Sequence, residues 1–117
     1  MKPINIMTID VEDWYSSSLD LFKDSDIAHG SKPDESVVDN TRYTLDLLDE
    51  TNNKATFFIL GSVAEHYPQL VKEILGKGHE VGTHGYTHEL VYNLNAESFE
   101  ADLKKAINCL QNAGCEQ

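Results

Sequence analysis

Three short apolar runs, each followed by a helical repeat, place this chain among α/β proteins built from parallel β/α units. The runs cover residues 4–10, 55–60 and 80–82, and turn-forming residues separate them from the helical patterns. Acidic residues follow the first run and two histidines follow the third, which is where ligands collect in parallel sheets.

The first run, rich in Ile and ending in Asp10, is expected to be a buried strand that delivers Asp10, Glu12 and Asp13 at its C-terminal end. Residues 15–33 keep no period and are expected to form a long loop. Val38, Thr41, Leu45 and Leu48 then recur at helical spacing, with caps expected at Asp34 and Ser36 and an end near Thr51 and Asn52. Residues 55–60 are apolar apart from Thr56, as in a strand covered on both faces. Gly61 is expected to end that strand, and Ser62 with Glu65 matches a capping box. The helix that follows runs through Leu70, Ile74 and Leu75 to Gly78, with a break near Tyr67 or a fresh start at Pro68. A third strand is expected at 80–82, and a last helix from about Asn95 to Asn112 with Phe99, Leu103, Ile107 and Leu110 on its apolar side.

The formal charge is −11, from 20 acidic against nine basic residues, so the basic footprint of a nucleic-acid or anionic-membrane binder is missing. No apolar run approaches the roughly 20 residues of a membrane helix, and no signal-peptide pattern is visible, so the chain reads as cytoplasmic. Cys109 and Cys115 lack a Cys-x-x-Cys spacing and are expected to be free thiols.

His84 and His88 can converge on one ion if the backbone turns between them, and Gly82, Gly85, Thr83 and Thr87 supply the residue types of such a turn. A helical His-Glu-x-x-His zinc motif is excluded, because Gly85 stands where the Glu is needed. Asp10 and Glu12 share a face of an extended chain, whereas Asp13 joins them only if the chain turns first. Two imidazoles and a carboxylate around a divalent metal, with a second carboxylate nearby as base, make a hydrolytic centre.

Residues 8–14, the strand from Ala55 with Gly61 after it, the approach from Gly78 to Gly82, and the segment from Thr83 to His88 together resemble the first half of the polysaccharide deacetylase family, also called the NodB homology domain. The resemblance implies a fold that is the N-terminal part of a distorted (β/α) barrel of NodB type, and removal of N-acetyl groups from a polysaccharide or amino sugar. It implies Asp10 as catalytic base and His84 and His88 as metal ligands, with Glu12 as the carboxylate ligand and Asp13 as its alternative. Thr83 and Thr87 correspond to supporting residues, and Tyr86 to a wall of the sugar groove. The implied cofactor is a divalent metal, Zn²⁺ first, with Co, Ni or Fe suited by the same ligands. The implied partner is an N-acetylated carbohydrate.

A (β/α) barrel usually needs about 200 residues or more, and the family's later Arg-bearing segment and late His have no counterpart in residues 1–117. The chain is therefore expected to be the N-terminal portion of such a domain, truncated at its C-terminus. A metal- or sugar-binding fragment without turnover is the alternative expectation, and self-association through an open sheet edge is expected of either. Of the other histidines, His29 is expected in a loop, His66 on a helix surface and His79 ahead of a strand.

Overall fold

The computed structural model describes Met1, residues 3–17 and residues 31–116. Along the chain these form β1 (Thr8–Val11), α1 (Ser36–Glu50), β2 (Thr56–Ile59), α2 (Gly61–His66), α3 (Pro68–Gly76), β3 (Glu80–Thr83) and α4 (Ala96–Asn112). The three strands pair in parallel in the order β1-β2-β3, Thr8 opposite Thr56 and Thr56 opposite Glu80. Each strand lies beside its predecessor, as in a (β/α) barrel, without the order reversal of a doubly wound sheet.

The first strand is shorter than the sequence suggested. Ile4 and Ile6 are exposed and pairing begins only at Thr8, because β2 starts at Thr56 and gives the earlier residues no ladder partner. Nor is β2 buried on both sides. Phe57 and Ile59 are fully buried, while Thr56 and Phe58 on the opposite face are only partly covered. Alternation along the register places Asp10, Phe58 and Gly82 together on that second face.

The core lies on the helix side of the sheet, where Val11, Phe57 and Ile59 meet Leu45 and Leu48 of α1, Leu70, Val71 and Ile74 of α3, and Ala106 and Leu110 of α4. Helix α1 starts at Ser36, whose N–H donates to the Asp34 carboxylate, and stops at Thr51 before Asn52 with φ +53°. At Tyr67 the second helical stretch breaks and restarts with Pro68 in the first turn, where its missing N–H costs no hydrogen bond. Ser62 caps nothing. Helix α2 already begins at Gly61, and its first amides reach instead to carbonyls of the histidine segment, Gly61 N–H to Gly85 O at 2.8 Å and Ser62 N–H to Tyr86 O at 3.2 Å.

Helix α4 carries a true capping box between Asn95 and Ser98. Its buried face is Ala106, Cys109 and Leu110, rotated from the expected stripe, and Phe99 and Ile107 remain exposed. The small Ala106 explains the rotation. A side chain at Gly61 would come within 2.8 Å of the Ala106 backbone, so α2 and α4 touch where neither has bulk. Phe99 and Leu103 line an open cleft of about 410 Å³ beside His84 and His88. Cys109 and Cys115 are free thiols, both pushed up in pKa by burial.

Candidate metal centre

Strand β1 ends at Val11 and strand β3 at Thr83, so Glu12 and His84 leave the sheet at the same end. The amide of His84 still donates to Ile59 O at 3.1 Å, which keeps the residue in register with the ladder. Gly85 at φ +76° then turns the chain, and His88 at φ +61° turns it again. The left-handed conformation costs a residue with a Cβ on the order of 1 kcal/mol, so the loop holds His88 against a local preference.

The two turns bring Nε2 of His88 to 3.0 Å and Nε2 of His84 to 3.4 Å from Oε2 of Glu12. The imidazole rings lie edge to face with centroids 5.1 Å apart. One ligand atom from each of Glu12, His84 and His88 falls within 4.8 Å of the others. Asp10 stands beside them, its Oδ2 4.0 Å from His84 Nε2, and its side chain is the most exposed of the four.

Glu12 Oε2 and His84 Nε2 are shielded from solvent and have no hydrogen-bond partner. Buried acceptors without donors are costly unless a cation meets them. One carboxylate and two imidazoles are also a donor set that divalent zinc takes when a fourth position stays open. The residues present therefore fit a divalent metal.

Asp13 is brought elsewhere. It is almost fully buried, and its Oδ2 accepts the amide of Asp34, which ties the start of α1 to the end of β1. Tyr15 and Tyr67 fasten the same segment, Tyr15 donating to the carbonyls of Ser31 and Lys32 and Tyr67 to that of Pro33 at 2.7 Å. Tyr15 is thereby buried, whereas Trp14 is 62% exposed. His29 and most of the 15–33 loop lie outside the described residues.

Tyr86 does not form a groove wall. It is buried on the helix side, its ring against Gly61, its hydroxyl donating to Glu65 at 2.5 Å and the Lys105 ammonium 3.6 Å above its ring centre. Burial, and then the bond to Glu65, push its pKa up. Thr83 accepts the Gly85 amide at 3.3 Å and Thr87 donates to Asp102 at 3.2 Å, so both brace the turn. Asp102 itself was not anticipated. It carries no motif, and the one available signal is a carboxylate one helical turn before Ala106 on the packed side of α4.

Of the remaining histidines, His66 is exposed on α2 with its ring bonded to Ser62 O at 2.8 Å. His79 is buried ahead of β3, where its Nδ1 accepts the Ala55 amide at 3.2 Å and its ring meets Phe57 edge-on. Burial first, then the charge of Lys54, hold its pKa below the ordinary imidazole value. It lies at the opposite end of the strands from Glu12 and His84.

A family model for polysaccharide deacetylase matches residues 30–117, three quarters of the chain and the part holding both histidines. A peptidoglycan-N-acetylglucosamine deacetylase of Bacillus cereus is 41% identical over 61 residues, covering 52% of this chain and 22% of that protein. Chitin deacetylase 1 of Saccharomyces cerevisiae is 34% identical over 68 residues, covering 58% of this chain and 23% of that one. Among solved structures, a peptidoglycan N-acetylglucosamine deacetylase bound to an N-oxidanyl-benzamide superposes with a TM-score of 0.66 at 28% identity, over 92% of this chain and 40% of that one. The chain thus spans under a third of the length of these curated relatives and under half of the solved neighbour. With the parallel order β1-β2-β3 forming part of a (β/α) barrel and the family model covering both histidines, the chain belongs to the polysaccharide deacetylase family.

Proposed function

We propose that this chain carries the metal half-site of a carbohydrate N-deacetylase, an enzyme that hydrolyses the acetamide of an N-acetylated amino sugar. The observation that carries the reading is the convergence of Glu12, His84 and His88, with two of the three ligand atoms buried and unpartnered. The relatives named for peptidoglycan and chitin point to a substrate of N-acetylglucosamine type.

In this reading Glu12, His84 and His88 hold the cation and Asp13 does not. A divalent metal at this position supplies Lewis acidity toward the acetamide oxygen and lowers the pKa of water. Zn²⁺ is the first choice, and Co, Ni and Fe share its tolerance for imidazole and carboxylate. Asp10 is the general base, accepting at Oδ2 the proton of the attacking water from a position on the same face. The Glu12 carboxylate, with that of Asp10 beside it, favours a dication over a monovalent ion. The leaving amine needs a proton donor; among the described residues His66 has its ring bonded to Ser62 O, and His79 lies at the opposite end of the strands. This reading places the donor outside the described residues.

Free edges of β1 and β3 among the described residues, with Phe99 and Ile107 exposed on α4, support self-association of the isolated chain. Acetate release from N-acetylglucosamine oligomers, measured on the full-length gene product loaded with zinc, tests the activity. Turnover is expected in the wild type and is expected to fall at least a hundredfold in Asp10→Asn, within the range ascribed to general bases. Equal rates in the two proteins would remove Asp10 from its role.

A further inference from the structure

The backbone of the histidine turn is gripped by two helices, α2 through backbone amides and α4 through a carboxylate. Gly61 and Ser62 of α2 donate to the carbonyls of Gly85 and Tyr86. From the other side Asp102 of α4 accepts the Tyr86 amide on Oδ2 at 2.9 Å and the Thr87 hydroxyl on Oδ1 at 3.2 Å. Both donors belong to the two residues between Gly85 and His88, the two positions of positive φ. The peptide joining Gly85 to Tyr86 is thus gripped at its oxygen by α2 and at its nitrogen by α4. The carboxylate also sits close beneath the turn, since a Cβ on Gly85 would lie 3.2 Å from Oδ2. Its place is fixed by packing, because Ala106, one turn further along the same face, meets Gly61 with no side chain between them.

We infer that Asp102 is a positioning residue for the metal centre, holding the Gly85-to-His88 turn so that both imidazoles face Glu12. It touches neither Glu12 nor the ring nitrogens, and acts through the backbone of Tyr86 and the hydroxyl of Thr87. A turn without this carboxylate keeps its α2 contacts and loses what opposes relaxation of His88 from φ +61°. The ligand set then survives in composition and loosens in geometry. The inference rests on the reading of Glu12, His84 and His88 as ligands.

Cobalt(II) titration followed by visible absorption, alongside thermal melting of the metal-free proteins, tests it on wild type, Asp102→Ala and Asp102→Asn. Loss of an outer-shell partner typically weakens metal affinity about 10- to 100-fold, and that loss, with a weaker and shifted d–d band, is expected for Asp102→Ala. Asp102→Asn keeps an acceptor for the Tyr86 amide and a polar partner for Thr87, and is expected to bind within about threefold of wild type by the same reasoning. Thr87→Val, which removes one of the two bonds and leaves the carboxylate, is expected to fall between them and serves if Asp102→Ala does not fold. Cobalt affinity and spectrum unchanged in both Asp102→Ala and Thr87→Val would overturn the inference while leaving the ligands in place. Asp102→Asn as weak as Asp102→Ala would also overturn it, since charge rather than the clamp would then be acting. A wild type that binds no cobalt overturns the ligand reading and this inference together.

Discussion

In the proposed site four acidic and imidazole side chains share the work, and the division of labour follows from where each lies along its strand. Asp10 and Glu12 are two residues apart on an extended chain and share the face that His84 reaches from β3. Asp13 is buried, with its Oδ2 held by the Asp34 amide. The sequence made this cluster visible through spacing at a strand end, and left the choice between Glu12 and Asp13 to the direction of the chain after Val11. Asp13→Ala is accordingly expected to leave metal affinity within twofold. It should lower stability by about 1–3 kcal/mol, the usual cost of an orphaned buried donor, read as a shifted denaturant midpoint. Asp10→Asn is expected to bind zinc normally in calorimetry and fail in acetate release.

At the scale of elements, the turn bearing the histidines is built by helices far from it in sequence. Element order and most boundaries were legible, because Pro68, Asn95 and the glycines punctuate the hydrophobic pattern. The buried face of α4 was not, since periodicity weights large side chains and the closest packing uses Gly61 and Ala106, which have almost none. The same cause hid Asp102, and it turned Ser62 from an expected cap into a donor to Tyr86 O. Gly61→Ala places a methyl 2.7 Å from the Tyr86 ring and 2.8 Å from the Ala106 backbone. Overpacking of this kind costs about 1–3 kcal/mol, and weaker metal binding is expected with it because the turn must shift. Asn95→Ala, which removes the cap of α4 and touches nothing near the histidines, is expected to cost about 1 kcal/mol and to leave metal affinity unchanged.

For the whole molecule, the candidate metal centre and a structural cluster around His79 lie at opposite strand termini. Phe57 and His79 close the structural end, where Lys54 and Lys77 oppose and Asp49 favours a charge on the imidazole. The folded state holds His79 neutral to lower pH than the unfolded chain does, so the unfolded state binds the extra proton first. Stability is therefore fully present above about pH 6.5, the ordinary imidazole value, and declines as pH falls toward the depressed folded value. His79→Gln keeps an acceptor for the Ala55 amide and is expected to flatten this part of the pH–stability curve, measured by urea unfolding. At the level of assembly, the edges of β1 and β3, unpaired among the described residues, predict concentration-dependent self-association. Sedimentation showing monomer alone at micromolar concentration would contradict it.

Glu12, His84 and His88 are proposed to form a single site for a divalent metal. Isothermal titration of the metal-free protein with zinc tests it most directly, comparing wild type with Glu12→Gln, His84→Ala and His88→Ala. One zinc per chain in the wild type is expected, with affinity lost in each variant while the metal-free folds melt alike. Zinc binding undiminished in both histidine variants would contradict the account.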